Sequence, residues 1–365
     1  MYVIIILGDY MTNDTYNVDR KISDMISHIV GYHHVENNKS DVDYVRKLFD
    51  LLKDNNKTID YITLTIDEFR VLKDEYNSIL KNCKISIFMN SVNDITLDEV
   101  KDLKKNYTIH YMYIKNLFDG YDGPKMILID LLYKYKKAIQ NITRGIDENY
   151  LKGVEDREKI IFGMIIPRIF DNTKYDLEYQ KKYKETHKKI YDNPSNSMLG
   201  LIDGKCTCKG YSGIVSDVFG SIGIETEIIT GVENDSNQGH AWNQIKLDGD
   251  WYNIDITWDR ENILYSGMCY WLLKDDKTFE YGYTCSNGTD TWEVSHRKYA
   301  RYRNPGHICT KTLSDEELGK YLDFSDFIKK NWLVSNLKKI DLNNLKSSVA
   351  KFLTDSSSEK HNSVR

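Results

Sequence analysis

The 365-residue chain has no excess of basic charge. Fifty Lys and Arg stand against 55 Asp and Glu, a net charge of −5. That makes nucleic acid a poor partner, and runs such as "KKYKETHKK" (181–189) read as solvated helix faces. Cysteine is sparse. The six cysteines, at 83, 206, 208, 269, 285 and 309, are spread too widely for a secreted disulfide framework. No apolar run is long enough to cross a bilayer, so no membrane partner is expected. The start, "MYVIIILGDY", has neither a basic lead nor a small-residue cleavage site. It reads as a buried strand, and the expected compartment is the cytoplasm. Gly8-Asp9 follows that strand without a GxGxxG or P-loop pattern, which argues against a nucleotide site. A zinc site built from Cys206, Cys208, His240 and Cys269 or Cys285 would lack the usual second C-x2-4-C pair. The spacing of Cys206 and Cys208 is C-x-C, not the redox C-x-x-C. No metal and no cofactor are therefore expected.

What is present is an ordinary globular composition, 41% hydrophobic and 29% charged, with length enough for two or three domains. Behind the strand at 2–6 come helical patterns over 19–32 and 41–54. Then strand-like "YITLT", "KISIFMN" and "TIHYMYI" alternate with helical segments at a spacing of 23–24 residues. That alternation predicts parallel βα units, as a small open sheet or a short repeat arc. "GYDGP" (120–124) breaks the pattern, and helices follow to about 190. One helix and several strands occupy 205–260. The chain turns helical again from about 314 and ends in a polar, disordered tail. The expected division is a βα region over 1–145, a chemical domain over 146–310, and C-terminal helices with a tail over 311–365.

The chemistry concentrates after residue 205. In "CKGYSGIVSDVFGSI" the apolar positions 211, 214, 215, 218, 219 and 222 form one helical stripe, with Cys208 on it one turn earlier. Gly223 can end the helix. Cys208 then sits at a helix N-terminus, where the dipole favours thiolate, while Cys206 lies outside it. Downstream, "GHAWNQIKLDGDWYNIDITWDR" reads as a hairpin turning at Asp248-Gly249. That turn sets Leu247 opposite Asp250, Trp242 opposite Asp255 and His240 opposite Thr257. His240, Trp242 and Asp255 then share one face, with His240 and Asp255 roughly 7–8 Å apart at the backbone. A thiol, an imidazole and a carboxylate so placed suit nucleophilic catalysis: Cys208 attacks, His240 moves the proton, Asp255 orients His240.

"CKGYS", "GHAWN" and "WYNIDITWD" resemble the transglutaminase-like superfamily across about 195–260, and more loosely through "EKIIFGMIIPRIFDNTKYD" upstream and to about 300 downstream. The resemblance implies an α+β papain-like core, a helix packed on an antiparallel sheet. It places Cys208, His240 and Asp255 on the family's catalytic positions. It implies acyl transfer from a protein or peptide amide through a thioester, as in a cysteine peptidase or a transglutaminase. Hydrolysis is preferred over transfer to an amine, because no feature favours an amine or excludes water. Where many bacterial relatives have a Ser-Ala-Tyr-like run, this chain has "NSM" (196–198). The expected oxyanion donor is the backbone N–H of Cys208. Trp242, Trp258 and Asn196 are assigned to the substrate cleft, Trp251 to core or cleft, Tyr211 to the core and His296 to the surface. The alternative is a catalytically inactive scaffold, with the N-terminal region binding a protein partner.

Overall fold

The computed structural model describes residues 42–115, 125–147, 149–186, 193–233, 238–266, 269–281, 283–286, 291–294, 296–298 and 306–329, with Lys21 and Met25. The strand expected at 2–6, most of the helix at 19–32, the break at 120–124, the side chains of Cys285 and His296, and everything after 329 lie outside the description.

Helix α1 (Val42–Asp54) precedes β1 (Tyr61–Thr65), α2 (Ile66–Leu72), α3 (Asn77–Lys81), β2 (Lys84–Met89), α4 (Leu97–Asn106), β3 (Thr108–Ile114) and β4 (Lys125–Ile127). The first three strands pair in parallel, in chain order, and β4 closes one edge antiparallel to β3. This is a small open sheet built of βα units. β1 and β2 bury nearly every position, as parallel strands covered on both faces do. Two of the helices start on the same local signature. Thr65 and Thr96 each accept the N–H of the glutamate three residues on, and Glu68 and Glu99 reach back to the threonine N–H.

Helices α5 (Ile129–Ile142) and α6 (Arg157–Asn172) lead into the second unit. There β5 (Lys174–Tyr175), α7 (Leu177–Thr186), α8 (Gly200–Asp203) and β6 (Lys205–Cys206) precede the long helix α9 (Cys208–Gly220). Next come β7 (Thr226–Glu233), β8 (Gly239–Leu247), β9 (Asp250–Ile254) and α10 (Ile256–Ser266). Beyond these lie α11 (Asp276–Tyr281), β10 (Tyr283–Ser286), β11 (Thr291–Val294), β12 (His296–Lys298) and α12 (Asp315–Leu318). The order β12-β7-β8-β9 makes an antiparallel sheet, and α9 packs against β7 and β8.

Asp248 (φ 51°) and Gly249 (φ 90°) form the tight turn between β8 and β9. Both residues lie in the left-handed region, as a type I′ turn requires. The register runs from Leu247 opposite Asp250 to Asn243 opposite Ile254. There it stops. The expected pairs Trp242–Asp255 and His240–Thr257 do not form, because the chain leaves the sheet after Ile254 and enters α10. The Asp255 carboxylate is the cause. Its Oδ1 accepts the N–H of Thr257 at 2.9 Å and of Trp258 at 3.2 Å, satisfying the first donors of the helix.

The two sheets share one core. A continuous cluster of buried side chains runs from Val45 and Ile85 through Tyr135 and Phe162 to Val215, Ile245 and Phe327. Asn93 Nδ2 donates to the carbonyl of Asp217 on α9 at 3.0 Å, and the Tyr135 hydroxyl donates to the Asp217 carboxylate at 2.8 Å. The division expected near residue 145 thus separates two sheets, not two cores.

The segment around α12 is packed onto α6 with little tolerance. A Cβ on Gly163 would stand 1.9 Å from the carbonyl oxygen of Tyr321. Gly163→Ala is expected to lower the urea midpoint, at a cost of about 1–3 kcal/mol, because backbone must move. A variant with the wild-type midpoint would mean that this segment does not pack there.

Candidate active site

The working end of α9 is held from below. Thr207 is the extended N-cap, and its N–H donates to the carbonyl of Ser195 at 2.8 Å. Its Oγ1 lies 3.0 Å from Asn196 Oδ1. Gly210 allows this approach, since a Cβ there would stand 2.4 Å from the Ser195 carbonyl. At the other end Gly223 (φ 79°) makes a Schellman stop, with Gly223 N–H to Gly220 at 3.2 Å and Ile224 N–H to Phe219 at 3.0 Å. Asn243 Nδ2 on β8 donates to the Ser212 carbonyl at 3.0 Å and fixes the helix against the sheet. Tyr211 is buried in the core, as expected.

Cys208 is the first residue of the helix, where the N–H groups lack intrahelical partners. His240 comes from the start of β8, and its Nε2 lies 2.6 Å from Asp255 Oδ2. That leaves Nδ1 for the thiol, and each of the two groups shifts the other's protonation. Trp258 stacks on the imidazole, with ring centres 4.6 Å apart and planes 16° apart. Burial by itself pushes the Cys208 thiol up. The hydrogen bond and charge of His240, with the Ala241 backbone, outweigh it and hold the thiol below its ordinary value. Burial likewise lowers His240, but the Asp255 carboxylate and Cys208 raise it to about 10. Cys206 is fully buried with no cationic partner in contact, and burial pushes its thiol up.

Cys208 and His240 open on a cavity of about 370 Å³, which they line together with Trp258, Tyr175, Tyr270 and Trp271, while Asp255 lies buried behind His240. Two cleft assignments are corrected. Trp242 is 1% exposed and packs with Ile229, Trp271 and Phe279 behind the cavity. It shares the His240 face of β8, but Trp271 and Phe279 cover it there. Asn196 does not line the cavity either; it supports the Thr207 cap. Trp251 stacks on His307 at 3.6 Å, away from the site.

Two residues at the site carried no role in the sequence reading. Asp259 is fully buried. Its Oδ1 accepts the N–H of Tyr270 and its Oδ2 that of Trp271, each at 2.8 Å, so it anchors a cavity wall. Burial pushes its carboxyl up to about 7, against the pull of those N–H groups. Its signal was the second aspartate of "DITWD", one helical turn after Asp255. Tyr175 stands in the "NTKYD" run.

Residues 140–256 match the model of the transglutaminase-like superfamily, so this stretch carries a transglutaminase-like domain of mixed α+β structure. No curated protein matches the chain. Among solved structures, one described as "a TGase" is 19% identical at a TM-score of 0.28, over 34% of this chain and 30% of that one. Another, described as "a Putative Cysteine Protease from Cytophaga hutchinsonii", is 13% identical at a TM-score of 0.23, over 34% and 37% of the two chains. The chain thus spans about a third of the length of each. No helix among the described residues is long and apolar enough to cross a membrane.

At pH 7 iodoacetamide is expected to modify Cys208 at least tenfold faster than Cys83 or Cys206, as mass spectrometry of the modified peptides would show. Its rate should stay high well below the ordinary thiol titration. In His240→Ala burial and the Asp255 charge remain against the Ala241 backbone alone, so the midpoint should move above the ordinary value. Faster modification of Cys206, or a Cys208 profile indifferent to His240, would break the pairing.

Proposed function

We propose that the protein is a cysteine enzyme that transfers an acyl group from a protein or peptide amide to Cys208 and then, by preference, to water. The observation that carries this reading is that Cys208, on the first turn of a helix, and His240, bonded to Asp255, line one cavity. The Cys208 sulfur adds to the amide carbonyl, and the carbonyl π pair moves onto oxygen, beside the Cys208 backbone N–H. The C–N bond then breaks, and the His240 imidazolium gives its proton to the departing amine. His240, neutral again, takes a proton from water as its oxygen adds to the thioester. Collapse releases a carboxylic acid and restores the thiol. Asp255 keeps the imidazole oriented and stabilises its cation.

Hydrolysis is preferred because water needs no dedicated binding group, and Gln180, Gln238 and Asn262 in the cavity wall can hold it. The N-terminal sheet is assigned to holding the protein substrate or a partner, and the enzyme to the cytoplasm.

Cys208→Ala should abolish release of a carboxylate from a peptide amide, and His240→Ala should remove nearly all of it. Asp255→Ala should be about one to two orders of magnitude less severe, since it orients the base without transferring the proton. Adding a primary amine should leave carboxylate the main product. Full turnover by Cys208→Ala would refute the thiol mechanism, whereas an inactive scaffold would show a Cys208 no more reactive than free cysteine. Amide product predominating over carboxylate would reverse the preference for water.

A further inference from the structure

The shortest ladder in the fold has a use that its size does not suggest. β5 and β6 pair in parallel over only two residues, Lys174 with Lys205 and Tyr175 with Cys206. Two residues add little to stability. What they fix is the position of Tyr175 beside the strand that runs, through Thr207, into the nucleophile. Both flanks are pinned. The Asp176 N–H donates to the Cys206 carbonyl at 3.0 Å. On the other side, Arg260 Nε donates to the Thr173 carbonyl at 2.8 Å.

The Tyr175 ring lines the same cavity as Cys208 and His240. Among the described residues its hydroxyl has no hydrogen-bond partner. A phenol open to the cavity with no protein partner can donate to a group that enters there. A plain wall would need only the ring. The phenol also stays protonated across the working range. Burial raises it above its ordinary value, and the negative charge of Cys208 and Asp255 adds to that. It is a neutral donor beside an attacking sulfur.

We propose that Tyr175 is a catalytic residue whose hydroxyl donates to the carbonyl oxygen of the substrate as Cys208 adds, a second oxyanion donor beside the Cys208 backbone N–H. This rests on the acyl-transfer reading above. No proton changes owner at Tyr175. The S–C bond forms, the π pair moves to oxygen, and the O–H of Tyr175 hydrogen-bonds the negative oxygen until the carbonyl re-forms and the leaving group departs with its bonding pair.

Two reagents separate this role from others. p-Nitrophenyl acetate acylates a thiol through a tetrahedral oxyanion and releases p-nitrophenolate. Iodoacetamide alkylates it by displacement at a saturated carbon, with no oxyanion. With the full chain, Tyr175→Phe is expected to slow acylation of Cys208 about tenfold or more, the lower side of what one lost donor costs. Alkylation of Cys208 should stay within twofold, which also reports that the site is folded. Unchanged acylation would overturn the assignment. So would an equal fall in both rates, because Tyr175 would then be setting the thiolate or the shape of the cleft. If p-nitrophenyl acetate left wild-type Cys208 unacylated while iodoacetamide labelled it, the acyl-transfer reading itself would fail, and this role with it.

Discussion

The carboxylate of Asp255 has two oxygens, and the site depends on their division. Oδ2 meets His240 at 2.6 Å, while Oδ1 caps α10 through Thr257 and Trp258. The backbone N–H of the same residue donates to the Trp271 carbonyl at 3.0 Å. The end of β9, the start of α10, the tilt of the imidazole and the seat of the cavity wall therefore meet at one side chain that is 1% exposed. A buried carboxylate is tolerable only when its lone pairs are occupied. Here the cap and the histidine occupy them together, so the local fold and the site's electrostatics stand or fall as one.

Part of this arrangement was legible in the chain. The Asp248-Gly249 turn and the α9 stripe ending at Gly223 follow from periodicity and turn chemistry, and the family resemblance named Cys208, His240 and Asp255. The failure lay one residue past β9. A strand pattern in "NIDITWD" looks as if it should continue, because Ile254 and Ile256 alternate like strand residues. Local propensity was overruled by a cap whose benefit depends on tertiary partners: His240 on one oxygen and Trp271 on the backbone. The right pair was named from a register that does not reach it. Trp242 and Asn196 failed for a related reason. The sequence shows that they lie near the site but not which side of the wall they face. Tyr175 stayed silent because its position is set by a two-residue ladder, too short for any pattern.

The N-terminal unit bears on the chemistry through packing. α9 carries Cys208 at one end, and near its other end Asp217 receives Tyr135 from α5 and, through its carbonyl, Asn93. The helix is thus clamped by the sheet at Ser212, by α5 and the turn between β2 and α4 at Asp217, and by Ser195 beneath its first turn. A thiol must be held to a fraction of an ångström for in-line attack, and rigid elements achieve that better than loops. Helix α5 lies before the matched stretch for most of its length, yet it belongs mechanically to the nucleophile's support.

The two neighbouring cysteines show what decides reactivity here. Burial opposes ionisation of both Cys206 and Cys208. Cys206 faces β5 and core, where the Arg260 guanidinium lowers its value only in part, and it stays a thiol. Cys208 is two residues on, at the first position of α9, and it lines the cavity beside an imidazole that Asp255 keeps cationic. Desolvation that suppresses a lone thiolate strengthens a paired one, because the same low dielectric that penalises each charge deepens the attraction between them. His240 decides the outcome, and Asp255, by raising His240, decides it at one remove. Whether a cysteine here stays a thiol is then decided by what its sulfur meets, core for Cys206 and the imidazole for Cys208.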